Sequence, residues 1–173
     1  FRHANRGGSL LSVIEGDGDE LGVSIIVPVD PFRNYFADLA RSLGKDRREA
    51  SLARPDLLVI GAKLSGDRVR IHLTPVEVKC RLGATFPATE VSDALEQART
   101  FSRLLSAMLP HENQPTAWAL CFQHLLLSIV GFGMRVYSQH PDVSGREAVW
   151  SGIHERLAAA ILGPDPCVSV DQR

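Results

Sequence analysis

Three observations in the sequence predict an α/β domain. Apolar and polar residues alternate in Arg68-Val69-Arg70-Ile71-His72-Leu73, the period of a half-buried strand. Apolar residues recur at helical spacing through Val91, Ala94, Leu95, Ala98, Phe101, Leu104, Leu105 and Met108. Helical segments then follow one another until Cys167-Val168-Ser169-Val170, which reads as a last strand. With 173 residues and 45% hydrophobic content the chain can bury one substantial core but is short for two, so residues 1–173 are expected to form a single domain.

The elements follow in order. Ser9 to Ile14 and Leu21 to Val29 read as two strands joined through Glu15-Gly16-Asp17-Gly18-Asp19-Glu20, where Gly and Asp supply the positive φ angles of a hairpin loop. Asp17 and Asp19 lack the other ligands of a calcium loop, which favours a turn over a metal site. Asp30 is a candidate N-cap, Pro31 suits a first helical turn, and Phe32, Phe36, Leu39, Ala40 and Leu43 repeat at helical spacing up to Gly44. Lys45 to Glu49 is a charged, solvated run. Leu57 to Ala62 and Arg68 to Leu73 read as a β-hairpin closed by Ser65-Gly66-Asp67.

Thr74-Pro75 predicts a bulge or bend, because Pro cannot donate to a strand ladder. The strand is expected to resume with Val76, Val78 and Cys80 on one face and Glu77, Lys79 and Arg81 on the other. A helix over 89–108 follows, with Thr89 or Ser92 as N-cap and Pro110 beyond its end. A more apolar helix is expected from Thr116 to Ile129, weakened beyond by Gly131 and Gly133, and a third from Arg146 to Leu162, stopped by Gly163-Pro164.

A formal net charge of -1 argues against a strongly basic nucleic-acid wrapper and leaves a local arginine cluster open. Three cysteines, Cys80, Cys121 and Cys167, form neither metal-ligand spacing nor a disulfide framework, and suggest a reducing cytoplasm. The chain opens on Phe1-Arg2-His3 without Met or a signal-peptide pattern, and is expected to be part of a larger protein. The apolar run from Ala117 to Met134 holds Gln123, His124 and two glycines, which suits a buried core helix better than a membrane span.

Asp56, Glu77 and Lys79 are the residues that carry chemistry. In a hairpin, Asp56 at the start of one strand can approach Glu77 and Lys79 on the next, and a two-residue spacing turns that pair to one side. Hard oxygen ligands beside an ammonium suit magnesium and phosphodiester hydrolysis.

Arg54-Pro55-Asp56 followed by Glu77-Val78-Lys79 resembles the signature of the PD-(D/E)xK nuclease superfamily. Gln97-Ala98-Arg99-Thr100-Phe101 is similar to the Gln-x-x-x-Tyr motif of the branch found in helicase-linked recombination nucleases, with Phe101 where the motif has Tyr. The resemblance covers residues 21 to 109. It implies a restriction endonuclease-like core, a central mixed β-sheet flanked by helices, with an inserted helix at 32 to 43 and additional C-terminal helices. It also implies Asp56, Glu77 and the backbone carbonyl of Val78 as ligands of Mg2+, for which Mn2+ would substitute, with Lys79 acting on the attacking water and Gln97 positioning the site. An upstream acid is usual in the family, and Glu15, Glu20, Glu49 and a residue outside this chain are all candidates.

The expected function is therefore a metal-dependent nuclease that hydrolyses DNA, within a restriction, defence or repair system. The alternative is an inactive nuclease-fold module for DNA binding or protein interaction. Candidate partners are DNA, a linked or separate ATPase or helicase, and a second copy of the chain. Arg81, Arg99 and Arg103 are candidates for phosphate contacts, although solvated helix faces explain Arg99 and Arg103 equally well. The histidines, among them His72, His111, His124, His140 and His154, show no ligand spacing.

Overall fold

The computed structural model describes residues 12–42, 55–80, 87–111, 116–164 and 166–171. Among them are a five-stranded mixed sheet and four α-helices. Strands β1 (Ile14–Asp17) and β2 (Glu20–Pro28) form a hairpin that turns at Gly18-Asp19, with Gly18 at φ 58°. The loop is tighter than the sequence suggests, because Glu15, Gly16 and Asp17 are themselves paired, with Gly22, Leu21 and Glu20. β3 (Leu57–Ser65) runs antiparallel to β2, and β4 (Arg68–Val76) antiparallel to β3. β5 (Val168–Val170) lies parallel to β4 beside Ile71–Leu73, giving the order β1-β2-β3-β4-β5.

The helices are α1 (Arg33–Ser42), entered through a 3-10 turn at Asp30–Phe32, then α2 (Ala88–Met108), α3 (Thr116–Tyr137) and α4 (Glu147–Leu162). The expected side-chain caps are not used. Val29 precedes the 3-10 turn and Asp30 is its first residue, while Pro87 rather than Thr89 or Ser92 precedes α2.

Period-two patterning sorts the sheet into two faces. Val23, Ile25 and Val27 of β2, Leu58, Ile60 and Leu64 of β3, and Ile71, Leu73 and Pro75 of β4 are buried on one face. No residue of β2 to β4 on the other face is fully buried, and Lys63, Arg68, Arg70 and His72 are exposed there. α3 lies over β2 at Gly133, where a Cβ would come 2.6 Å from Ile25 Cδ1 and 2.9 Å from Val27 Cγ2. α3 continues eight residues past the expected end at Ile129, to Tyr137, and Gly133 fits that close approach instead of ending the helix. α3 is long and apolar enough to cross a membrane by length and composition, yet half of its most apolar stretch is buried against the rest of the domain.

Two further expectations are corrected at β4. Thr74 and Pro75 pair in unbroken register with Val59 and Leu58, so there is no bulge. Ile71 N–H donates to Cys167 and Leu73 C=O accepts from Asp171, so odd-numbered residues of β4 turn their backbone groups toward β5. The nitrogen of Pro75 therefore faces that same edge beyond the last paired residue, where no ladder bond is lost. β4 also ends at Val76, and beyond it Val78 and Cys80 are exposed rather than packed.

Candidate active site

The site lies at the end of the sheet where β3 begins and β4 ends. Leu57 pairs with Val76, which brings Asp56, just before β3, beside Glu77, just after β4. The two residues hold each other's strands: Asp56 N–H donates to Glu77 Oε2 at 3.2 Å, and Val78 N–H donates to Asp56 Oδ2 at 2.9 Å. Asp56 is fixed a third time by its carbonyl, which accepts from Val29 N–H at 3.1 Å. These bonds replace the strand ladder that stops at Val76, so the Glu77–Lys79 segment is positioned by side chains.

Glu77 is the most enclosed member, its side chain 7% exposed, and that of Lys79 is 40% exposed. Lys79 Nζ donates to Glu77 Oε1 at 2.6 Å and to Oε1 of Gln97, on α2, at 3.4 Å. All four predicted site residues, Asp56, Glu77, Lys79 and Gln97, are thereby brought together, although Glu77 and Lys79 meet on an irregular segment rather than on a strand. The bond to Glu77 holds the Lys79 ammonium above the usual lysine range; the negative fields of Glu77, Asp56 and Glu90 add to this, and partial burial opposes it.

Pro75, Val76, Glu77 and Lys79 form one wall of an open groove of about 350 Å³, and Glu90, Val91, Ala94, Leu95 and Ala98 of α2 form the other. Val91 and Leu95, part of the apolar helical spacing, are 46% and 49% exposed and line this groove. Glu90 was not singled out in the sequence, because an acid in the first turn of a helix is an ordinary partner of the helix dipole. Its relevance comes only from the tertiary approach of α2 to Lys79.

The other expected residues separate. Glu15 and Glu20 belong to the opposite end of the sheet, where Glu20 pairs with Ser65; eight strand steps, about 26 Å, lie between Glu20 and Pro28, which pairs with Leu57. Glu49 and Arg81 fall outside the described residues. Arg103 pairs with Glu96 at 3.1 Å on the exposed side of α2, and Arg99 is exposed on the same helix. Phe101 is fully buried and packs edge-to-face on Phe36 of α1, with centroids 4.9 Å apart, so its ring is a core element.

Among the described residues no group of three His, Cys, Asp or Glu side chains is placed to share an ion. The donor set is nevertheless of the right chemistry for magnesium, which needs only one or two carboxylates when water and phosphate oxygens complete its shell. Asp56 Oδ2 is committed to Val78 N–H, whereas Asp56 Oδ1 has no protein partner among the described residues. No protein-family model, curated protein or solved structure matches the chain.

Proposed function

We propose that the chain is a magnesium-dependent nuclease domain of the PD-(D/E)xK type that hydrolyses DNA phosphodiester bonds. The observation that carries this reading is the hydrogen-bonded convergence of Asp56, Glu77, Lys79 and Gln97, from three separate elements, with Glu77 and Lys79 lining the groove. The sheet is consistent with it: an antiparallel meander β2-β3-β4, with β5 parallel to β4, places the acids at one end. Asp56 and Glu77, with the Val78 carbonyl, would hold Mg2+, which when bound polarises a phosphoryl oxygen and acidifies water.

The remaining chemistry belongs to the protein. Lys79, held by Glu77 at 2.6 Å, presents its ammonium as a hydrogen-bond donor. It can orient the attacking water and stabilise negative charge as the P–O bond to water forms and the P–O bond to the leaving alcohol breaks. Gln97 accepts from Lys79 and limits where the ammonium points. Glu77, tied to Asp56 N–H and to Lys79, is the pivot of the group.

Incubation of plasmid and linear DNA with Mg2+ or Mn2+ tests the reading, with Lys79→Ala and Asp56→Asn alongside the wild type. Cleavage by the wild type, abolished by EDTA and reduced about 10³-fold in Lys79→Ala, is the expected result. Wild-type cleavage rates in Lys79→Ala would overturn it, and DNA binding without metal-dependent cleavage would favour a non-catalytic module.

A further inference from the structure

The open face of the sheet carries a feature that the groove does not use. Arg68, Arg70 and His72 project from β4 on the side away from the buried core, about 7 Å apart at alternate positions. Lys63 of β3 is the direct partner of Arg70, and Ser169 of β5 is the direct partner of His72. Like charges placed opposite each other destabilise a strand pair, so Lys63 beside Arg70 opposes folding unless an anion lies between them. None of Lys63, Arg68 and Arg70 has an ion pair or side-chain hydrogen bond among the described residues.

The surroundings give the patch a direction. Lys63, Arg68 and Arg70 line an open groove of about 490 Å³, bordered on the β1–β2 side by Glu15 and Glu20. These acids repel phosphate and confine a polyanion to the β3–β4 side. His72 Nδ1 lies 2.9 Å from Ser169 Oγ, and Ser169 Oγ donates to Ile71 C=O at 3.3 Å. The pair sets the orientation of the His72 ring at the β5 end of the row.

We propose that Arg68 and Arg70 on β4, with Lys63 on β3, form a platform for the phosphodiester backbone of a nucleic-acid strand. The spacing of alternate strand residues is comparable to the step between consecutive phosphates of an extended strand. β4 leads from this row toward Glu77 and Lys79, so a strand laid along it is anchored about 20 Å from the acids. The identity of the anion rests on the nuclease reading; the cationic row itself does not.

The test separates the two. Binding of a fluorescein-labelled oligodeoxythymidine is measured by anisotropy in EDTA across a salt series, for the wild type and for Lys63→Gln/Arg68→Gln/Arg70→Gln, with circular dichroism checking the fold of each. The triple variant is expected to bind more weakly and to flatten the dependence of log affinity on log salt by about 2, at roughly 0.7 per phosphate contact for a single strand. No binding by the wild type, or wild-type affinity and slope in the folded triple variant, overturns the platform. Lys79-dependent cleavage together with an unaffected triple variant leaves the nuclease standing and removes the platform; loss of binding in the triple variant without any cleavage by the wild type does the reverse.

Discussion

Phe101 shows how one residue can match a motif and still do a different job. In the Gln-x-x-x-Tyr pattern that residues 97 to 101 resemble, the last position carries a hydroxyl. Here the ring is enclosed in the core against Phe36, one helical turn from Gln97. Phe101→Tyr is therefore expected to restore the motif and harm the protein, lowering stability by about 1–3 kcal/mol because a buried hydroxyl lacks a partner. Urea unfolding measures that loss; an unchanged or raised midpoint would mean that the hydroxyl finds an acceptor. Asp56, Glu77 and Lys79 were legible in the sequence because hairpin pairing and a two-residue spacing are enough to gather them. Glu90 was not, because its approach to Lys79 depends on how α2 docks, and no local pattern encodes that.

The elements repeat this division between local and tertiary causes. β3 and β4 were readable from alternation, but the end of β4 was not: Val78 and Cys80 continue the apolar alternation after Val76 while the segment is held by Asp56 and Glu77 instead of a ladder. Val91 and Leu95 keep helical periodicity and nevertheless face a groove, because spacing identifies a stripe and not what covers it. The extent of α3 depends on a contact that the sequence does not display. At Gly133 the helix touches β2 so closely that Gly133→Ala, worth up to about 1 kcal/mol in helix propensity, is expected to destabilise on balance, since overpacking costs about 1–3 kcal/mol. Thermal unfolding measures the balance; a stabilised variant would show that Ile25 and Val27 can yield. Gly131 is a useful control, because a Cβ there meets nothing nearer than 3.9 Å.

At the scale of the molecule, the sheet end and the helical layer make the site and the fold interdependent. Asp56 and Glu77 close the β3–β4 end as well as supplying the proposed metal ligands, so binding a divalent cation should be felt as global stability. At ten times its dissociation constant a ligand specific for the native state adds about 1.4 kcal/mol, which for a chain of this size raises Tm by roughly 3–6 °C. Manganese is expected to produce such a shift in the wild type and not in Asp56→Asn; equal shifts in both would place the ion elsewhere. The α/β architecture followed from the succession of patterns in the sequence. That the described helices leave one face of the sheet without a fully buried residue did not, since it depends on which side of the sheet each connection crosses.

Pro75 has a consequence for how the chain is made. β4 is translated long before β5, and three helices must emerge between them. Throughout that interval the outer edge of β4 offers unpaired backbone groups to any other extended chain, the usual starting point for aggregation. β5 later covers only Ile71–Leu73. At Pro75 the edge has no N–H to offer, so the nascent sheet carries a built-in interruption to edge-on pairing, next to the residues proposed to form the site.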